Sequence, residues 1–142
     1  MQDTIELLKE CDAGAQMGTD AIEEVLTHID DPKLEQILKE ACDKHSELSE
    51  EIHNLLNDLG ESGKEPNTMA KGMSWLKTNF KLTTDESDNT VADLITDGCD
   101  MGVKSLRRYL NQYSAADKNA KELAGKLIQV EENLRADMVK YL

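Results

Sequence analysis

The tetrapeptide Cys-Asp-x-Gly occurs twice in this 142-residue chain, as CDAG at residues 11–14 and CDMG at residues 99–102. A thiol beside a carboxylate could ligate a metal or take part in redox chemistry. The surroundings point to a quieter role. Cys11, Cys42 and Cys99 make an odd number with no CxxC spacing, which speaks against a disulfide framework or a zinc knuckle. No basic neighbour in sequence lowers the pKa of Cys11 or Cys99, so both read as small core residues, with a redox-sensing pair as the alternative if the fold brings them together. Of the histidines, His28 near the end of a helix suits that negative terminus, and His53, among polar neighbours, reads as exposed. The acidic run SELSEEIH at 46–53 reads as a solvated helix face, so Glu47, Glu50 and Glu51 are not taken as ligands. There is no Gly-rich phosphate loop, no Ser-His-Asp set and no basic run.

The elements that must position these residues are helical. Hydrophobic residues make up 39% of the chain and aromatics 4%, with 8 Gly and 2 Pro, a composition that favours an all-α fold. The length suits one domain with a core that needs no metal or disulfide. A formal net charge of −13 opposes binding to nucleic acid or to an anionic membrane. The N-terminus lacks the pattern of a signal peptide, and no stretch is long and apolar enough for a membrane span, so a cytoplasmic location is expected.

Four long apolar stripes at helical spacing are present. The first, from Ile5 to Leu26, follows an Asp3/Glu6 capping box. The second, from Leu34 to Leu56, follows Asp31-Pro32 and stops near Gly60. The third, from Val91 to Leu110, follows TTDESDN, and the fourth, from Leu123 to Tyr141, follows a Ser114/Asp117 capping box. These stripes predict hairpins over about 4–59 and 89–141, within one domain of residues 1–142. The connection over about 60–88 is too long for a simple turn and carries Met69, Met73, Trp75, Leu76 and Phe80. A short crossover helix is expected there, leaving the second and third helices parallel, an arrangement known in ferritin-like four-helix bundles.

Shifting the chain by 88 residues lays CDAG on CDMG, and shifting it by 86 lays the second helix on the fourth, with Ala41 on Leu127, His45 on Glu131 and Leu48 on Leu134. An internal pseudo-two-fold follows. Gly14 and Gly18, like Gly98 and Gly102, stand one helical turn apart. Because a mid-helix glycine costs about 1 kcal/mol relative to alanine, their spacing predicts that the first and third helices cross closely there.

The motifs CDAGAQMG and ITDGCDMG, with MSWLK in the crossover, resemble the ferritin-like superfamily, and most closely an uncharacterised bacterial family designated a domain of unknown function. Active ferritin-like proteins hold two metals with a Glu on the first and third helices and an ExxH pair on the second and fourth. The resemblance places Asp12, His45, Asp100 and Glu131 at the corresponding positions, with Leu48 and Leu134 where the second-site histidines would stand. It therefore implies at most one weakly held divalent ion, iron, manganese or zinc, in place of a di-iron centre. The alternative is that the carboxylates reach solvent or pair with Lys104, Arg107 or Lys126. The leading expectation is a non-catalytic interaction or scaffold bundle, with two copies meeting through Met69, Met73, Trp75 and Phe80, and weak metal binding is the alternative.

Overall fold

The computed structural model describes residues 1–61 and 87–142. The expected crossover helix, its apolar cluster and the dimer contact assigned to it lie outside the described residues. Among the described residues the chain is all-helical: α1 (Gln2–Leu26), α2 (Pro32–Asp58), α3 (Asp88–Gln112) and α4 (Lys118–Met138), with a short 3-10 turn at Val139–Tyr141.

Local chemistry sets the helix ends. The Asp31 carboxylate accepts from the backbone N–H of Lys33 and Leu34, and Pro32 starts α2 where no intrahelical donor is needed. α2 stops in a Schellman motif: Gly60, at φ 76°, takes the left-handed conformation. The Gly60 N–H then reaches the Asn57 carbonyl and the Glu61 N–H the Leu56 carbonyl. Ser87 caps α3. The cap of α4 is Asp117, which accepts from Ala120 N–H, and not Ser114. α1 begins without a side-chain cap, because Asp3 accepts instead from Ala115 N–H and the Thr4 hydroxyl from Asp117 N–H.

Those last contacts fix the helix directions. The start of α1 is tied to the α3–α4 turn, while the Asp88 carboxylate at the start of α3 accepts from Asp30 and Asp31 N–H in the α1–α2 turn. α3 therefore starts at the end of the bundle where α2 starts, and the two helices run in the same direction. The two ties are alike in kind, an Asp at the start of one hairpin accepting from the backbone of the other hairpin's turn. Core positions repeat under the 86-residue shift: Leu34, Leu38, Ala41, His45, Leu48 and Ile52 on α2 are buried, as are Ala120, Ala124, Leu127, Glu131, Leu134 and Met138 on α4.

α1 packs chiefly on α2, and α3 chiefly on α4. The core falls into two apolar halves, one holding Leu7, Leu8, Ile52, Leu56 and Leu123, the other Ile22, Val25, Leu34, Leu38 and Met138. His45 and Glu131 belong to neither half. Among the described residues no helix is long and apolar enough to cross a membrane.

Candidate functional site

His45 on α2 and Glu131 on α4 meet inside the bundle. The imidazole is 1% exposed and its Nδ1–H donates to the Ala41 carbonyl at 2.6 Å, which leaves Nε2 to pair with Glu131 Oε1. Burial pulls the His45 pKa down, but the hydrogen bond and charge of Glu131, with help from the Ala41 carbonyl, outweigh it and the net shift is upward. The shift favours the charged imidazolium, and the contact with the Glu131 carboxylate joins the two hairpins as a buried pair.

The upward shift has a sign for stability. A group whose pKa is higher folded than unfolded contributes fully below its unfolded value, here 6.5, and loses that contribution as pH rises through the folded value. Urea melts at about pH 6 and about pH 9 are expected to show the protein less stable at the higher pH, with His45→Leu removing most of the difference.

Of the four expected ligands the structure brings two together, His45 and Glu131, while Asp12 and Asp100 have other partners. Asp12 is fully buried but faces α2, where it accepts from Ser49 Oγ at 2.8 Å, Gln16 Nε2 at 3.1 Å and His53 Nδ1 at 3.2 Å. Asp100 is half-exposed and pairs with Arg135 Nε at 2.6 Å, not with Lys104, Arg107 or Lys126. The physical reason is the 100° between successive helical residues. With Cys11 and Cys99 in the core, the following Asp turns toward its own hairpin partner, and the residues that receive it, Ser49 and Arg135, correspond under the 86-residue shift. Among the described residues no group of three or more His, Cys, Asp or Glu side chains is placed to hold a metal ion.

All three thiols are free, and those of Cys11 and Cys99 are buried in different halves of the core. Burial, then the charges of Glu10 and Asp12, pushes Cys11 up to about 12. Burial, then Glu131 through its charge and a hydrogen bond with the thiol, pushes Cys99 up as well. Neither is a thiolate at neutral pH, so nucleophilic or redox roles lack their reactive species.

The glycines also differ from the expected close crossing. A Cβ on Gly18 would lie 2.6 Å from His45 Cδ2, and one on Gly102 would lie 3.4 Å from Glu131 Oε2. These two glycines make room for the ion pair. Among the described residues, a Cβ on Gly14 or Gly98 would meet nothing within 4 Å. Between α1 and α3 lies a groove of about 290 Å³, with Ala13, Met17, Leu94 and Ile95 among its walls and His45, Glu131 and Cys99 also lining it. Met101, 49% exposed, lines it too.

A second cleft, which sequence reasoning missed, lies between α1 and α2. His53, Ser49, Gln16 and Asp20 line it, and His53 is only part-exposed because Asp12 holds its Nδ1. The signal available was the four-residue spacing of Ser49 and His53, which puts both on one face of α2.

A comparison with curated proteins returns no match. The family model described as Domain of unknown function (DUF2383) matches residues 3–112. That span takes in α1, α2 and α3, while Glu131 lies beyond it on α4. Matched over most of its length, the chain belongs to the DUF2383 family.

Proposed function

We propose that this protein is a ferritin-like bundle that works by binding rather than catalysis, and that its binding site is the groove between α1 and α3. The observation that carries this reading is the space that the described residues leave open at Gly14 and Gly98 above the buried His45–Glu131 pair. Two helices that were merely packed would close over their glycines. A groove of this volume is at the small end for ligand sites, which are mainly apolar with a few placed polar groups. The ion pair neutralises itself, so the groove suits an uncharged guest. Glu131 Oε2, beside Gly102, can accept one hydrogen bond. The fitting ligand is a small, elongated, apolar molecule with a single hydroxyl or amide N–H.

Octanol is a probe of that chemistry. Calorimetric titration is expected to give saturable one-to-one binding with a negative heat-capacity change, the mark of apolar burial. Gly98→Leu, whose Cβ starts in open space among the described residues and whose side chain occupies the groove, is expected to weaken binding at least tenfold while the helical signal is unchanged. Equal binding by wild type and variant would refute the assignment. The exposure of Met101 at the same groove favours a second occupant, another copy of the chain. A mass that rises with concentration in wild type but not in Gly98→Leu would assign the groove to self-association.

A further inference from the structure

We infer, resting on the groove assigned above, that it takes its guest in one orientation, with a primary ammonium head against Glu10 and an alkyl chain lying over the His45–Glu131 pair. The start of α1 is tied to the turn between α3 and α4, so the two helices that form the groove run in opposite directions. Glu10, early in α1, and Tyr109, late in α3, therefore line one end of the groove, while Ala21 and Gly98 line it toward the other. The 88-residue shift lays Glu10 on Gly98 and Ala21 on Tyr109. At these positions the pseudo-two-fold breaks. One end carries a carboxylate and a phenol where the other carries a hydrogen and a methyl group, so the groove is polar at one end and apolar at the other.

The polar end is built across both helices. The Tyr109 hydroxyl hydrogen-bonds to the Glu10 carboxylate, and the Tyr109 ring is stacked on Tyr113 with centroids 6.3 Å apart. One hydroxyl leaves most of the acceptor positions of the carboxylate open. Over the His45–Glu131 pair the charges offset each other, so the uncharged part of a guest belongs there. Among the described residues that line the groove there is no lysine or arginine, and Glu10 stands without a counter-charge. A hydroxyl head would meet its need for a donor but not its charge, and a quaternary ammonium would meet the charge but bring no donor. A primary ammonium does both. From Glu10 to Gly18, which faces the His45 ring, α1 rises about 12 Å at 1.5 Å per residue, close to the length of an extended eight-carbon amine.

Octylammonium chloride tests this against octanol, the same chain with an uncharged head, and against octanoate, the same chain with the opposite charge. In calorimetric titrations at neutral pH and matched ionic strength, below micelle-forming concentrations, octylammonium is expected to bind about tenfold more tightly than octanol, as for the gain of a charge-assisted hydrogen bond. Octanoate is expected to show no saturable binding. Glu10→Gln keeps the shape, removes the charge and is expected to bring the affinities for octylammonium and octanol together. Glu50→Gln, the same change at an exposed position on α2, is expected to keep them apart. In the wild-type protein, nuclear Overhauser effects are expected from the methylene beside the nitrogen to the Tyr109 ring. Octanol bound as tightly as octylammonium, a preference unaltered by Glu10→Gln or equally lost in Glu50→Gln, or contacts from that methylene to Gly98 in place of Tyr109 would overturn the head-group assignment and leave the groove standing. No saturable binding of either guest would overturn both.

Discussion

Replacing His45 alone with leucine is expected to destabilise the protein by about 3–5 kcal/mol, because it leaves the Glu131 carboxylate buried without its counter-charge. Glu131 is a deep partner, its side chain 12% exposed and facing an imidazole 1% exposed. Glu131→Leu alone is expected to cost a similar amount, since it strands the imidazole. Replacing both with leucine is expected to recover most of the loss. A buried ion pair exchanged for apolar residues of similar volume is often neutral or stabilising, as two desolvated charges disappear together. Urea melts of the two single variants and the double variant give the coupling directly. Additive losses, with the double variant the least stable of the three, would mean that the two side chains do not act as a pair.

Gly18→Ala is the second large effect, and it is expected to run against helix propensity. Alanine in place of a mid-helix glycine ordinarily gains about 0.5–1 kcal/mol. At Gly18 the added carbon would lie 2.6 Å from His45 Cδ2 and 2.8 Å from Nε2. The ring cannot turn aside cheaply, because Ala41 holds one nitrogen and Glu131 the other. The net expectation is a loss of about 1–3 kcal/mol from overpacking, together with a weaker dependence of stability on pH. Gly14→Ala and Gly98→Ala, with open space among the described residues at the new methyl group, are expected to stabilise. A thermal melt that ranks all three substitutions alike would show that the glycines share one role.

The helices were legible because their signals are local. Asp31-Pro32 specifies a helix start by which N–H groups need an acceptor, and Gly60 a stop by the left-handed conformation it permits. The 86-residue correspondence of α2 with α4 was legible for the same reason, since burial follows helical spacing on both. The four-residue site was only half legible. Spacing places a residue on a face of its helix but does not name what it meets. Asp12 turned to Ser49 and His53, and Asp100 to Arg135, because those partners stand across the same hairpin with donors that fit. The glycines were misread for a related reason. Small residues on facing helices indicate that something must fit there, and both a neighbouring backbone and an open groove satisfy that pattern. Only the placement of the helices separates Gly18, filled by the His45 ring, from Gly14, which among the described residues faces space.

The groove above the His45–Glu131 pair is tested most directly by a crystal structure of the protein grown with octanol. The predicted result is ordered alkyl density between Gly14 and Gly98, with the hydroxyl within hydrogen-bond reach of Glu131 and the imidazole still seated against Gly18. Backbone contact between α1 and α3 at Gly14 and Gly98, with octanol absent from the space between them, would contradict it.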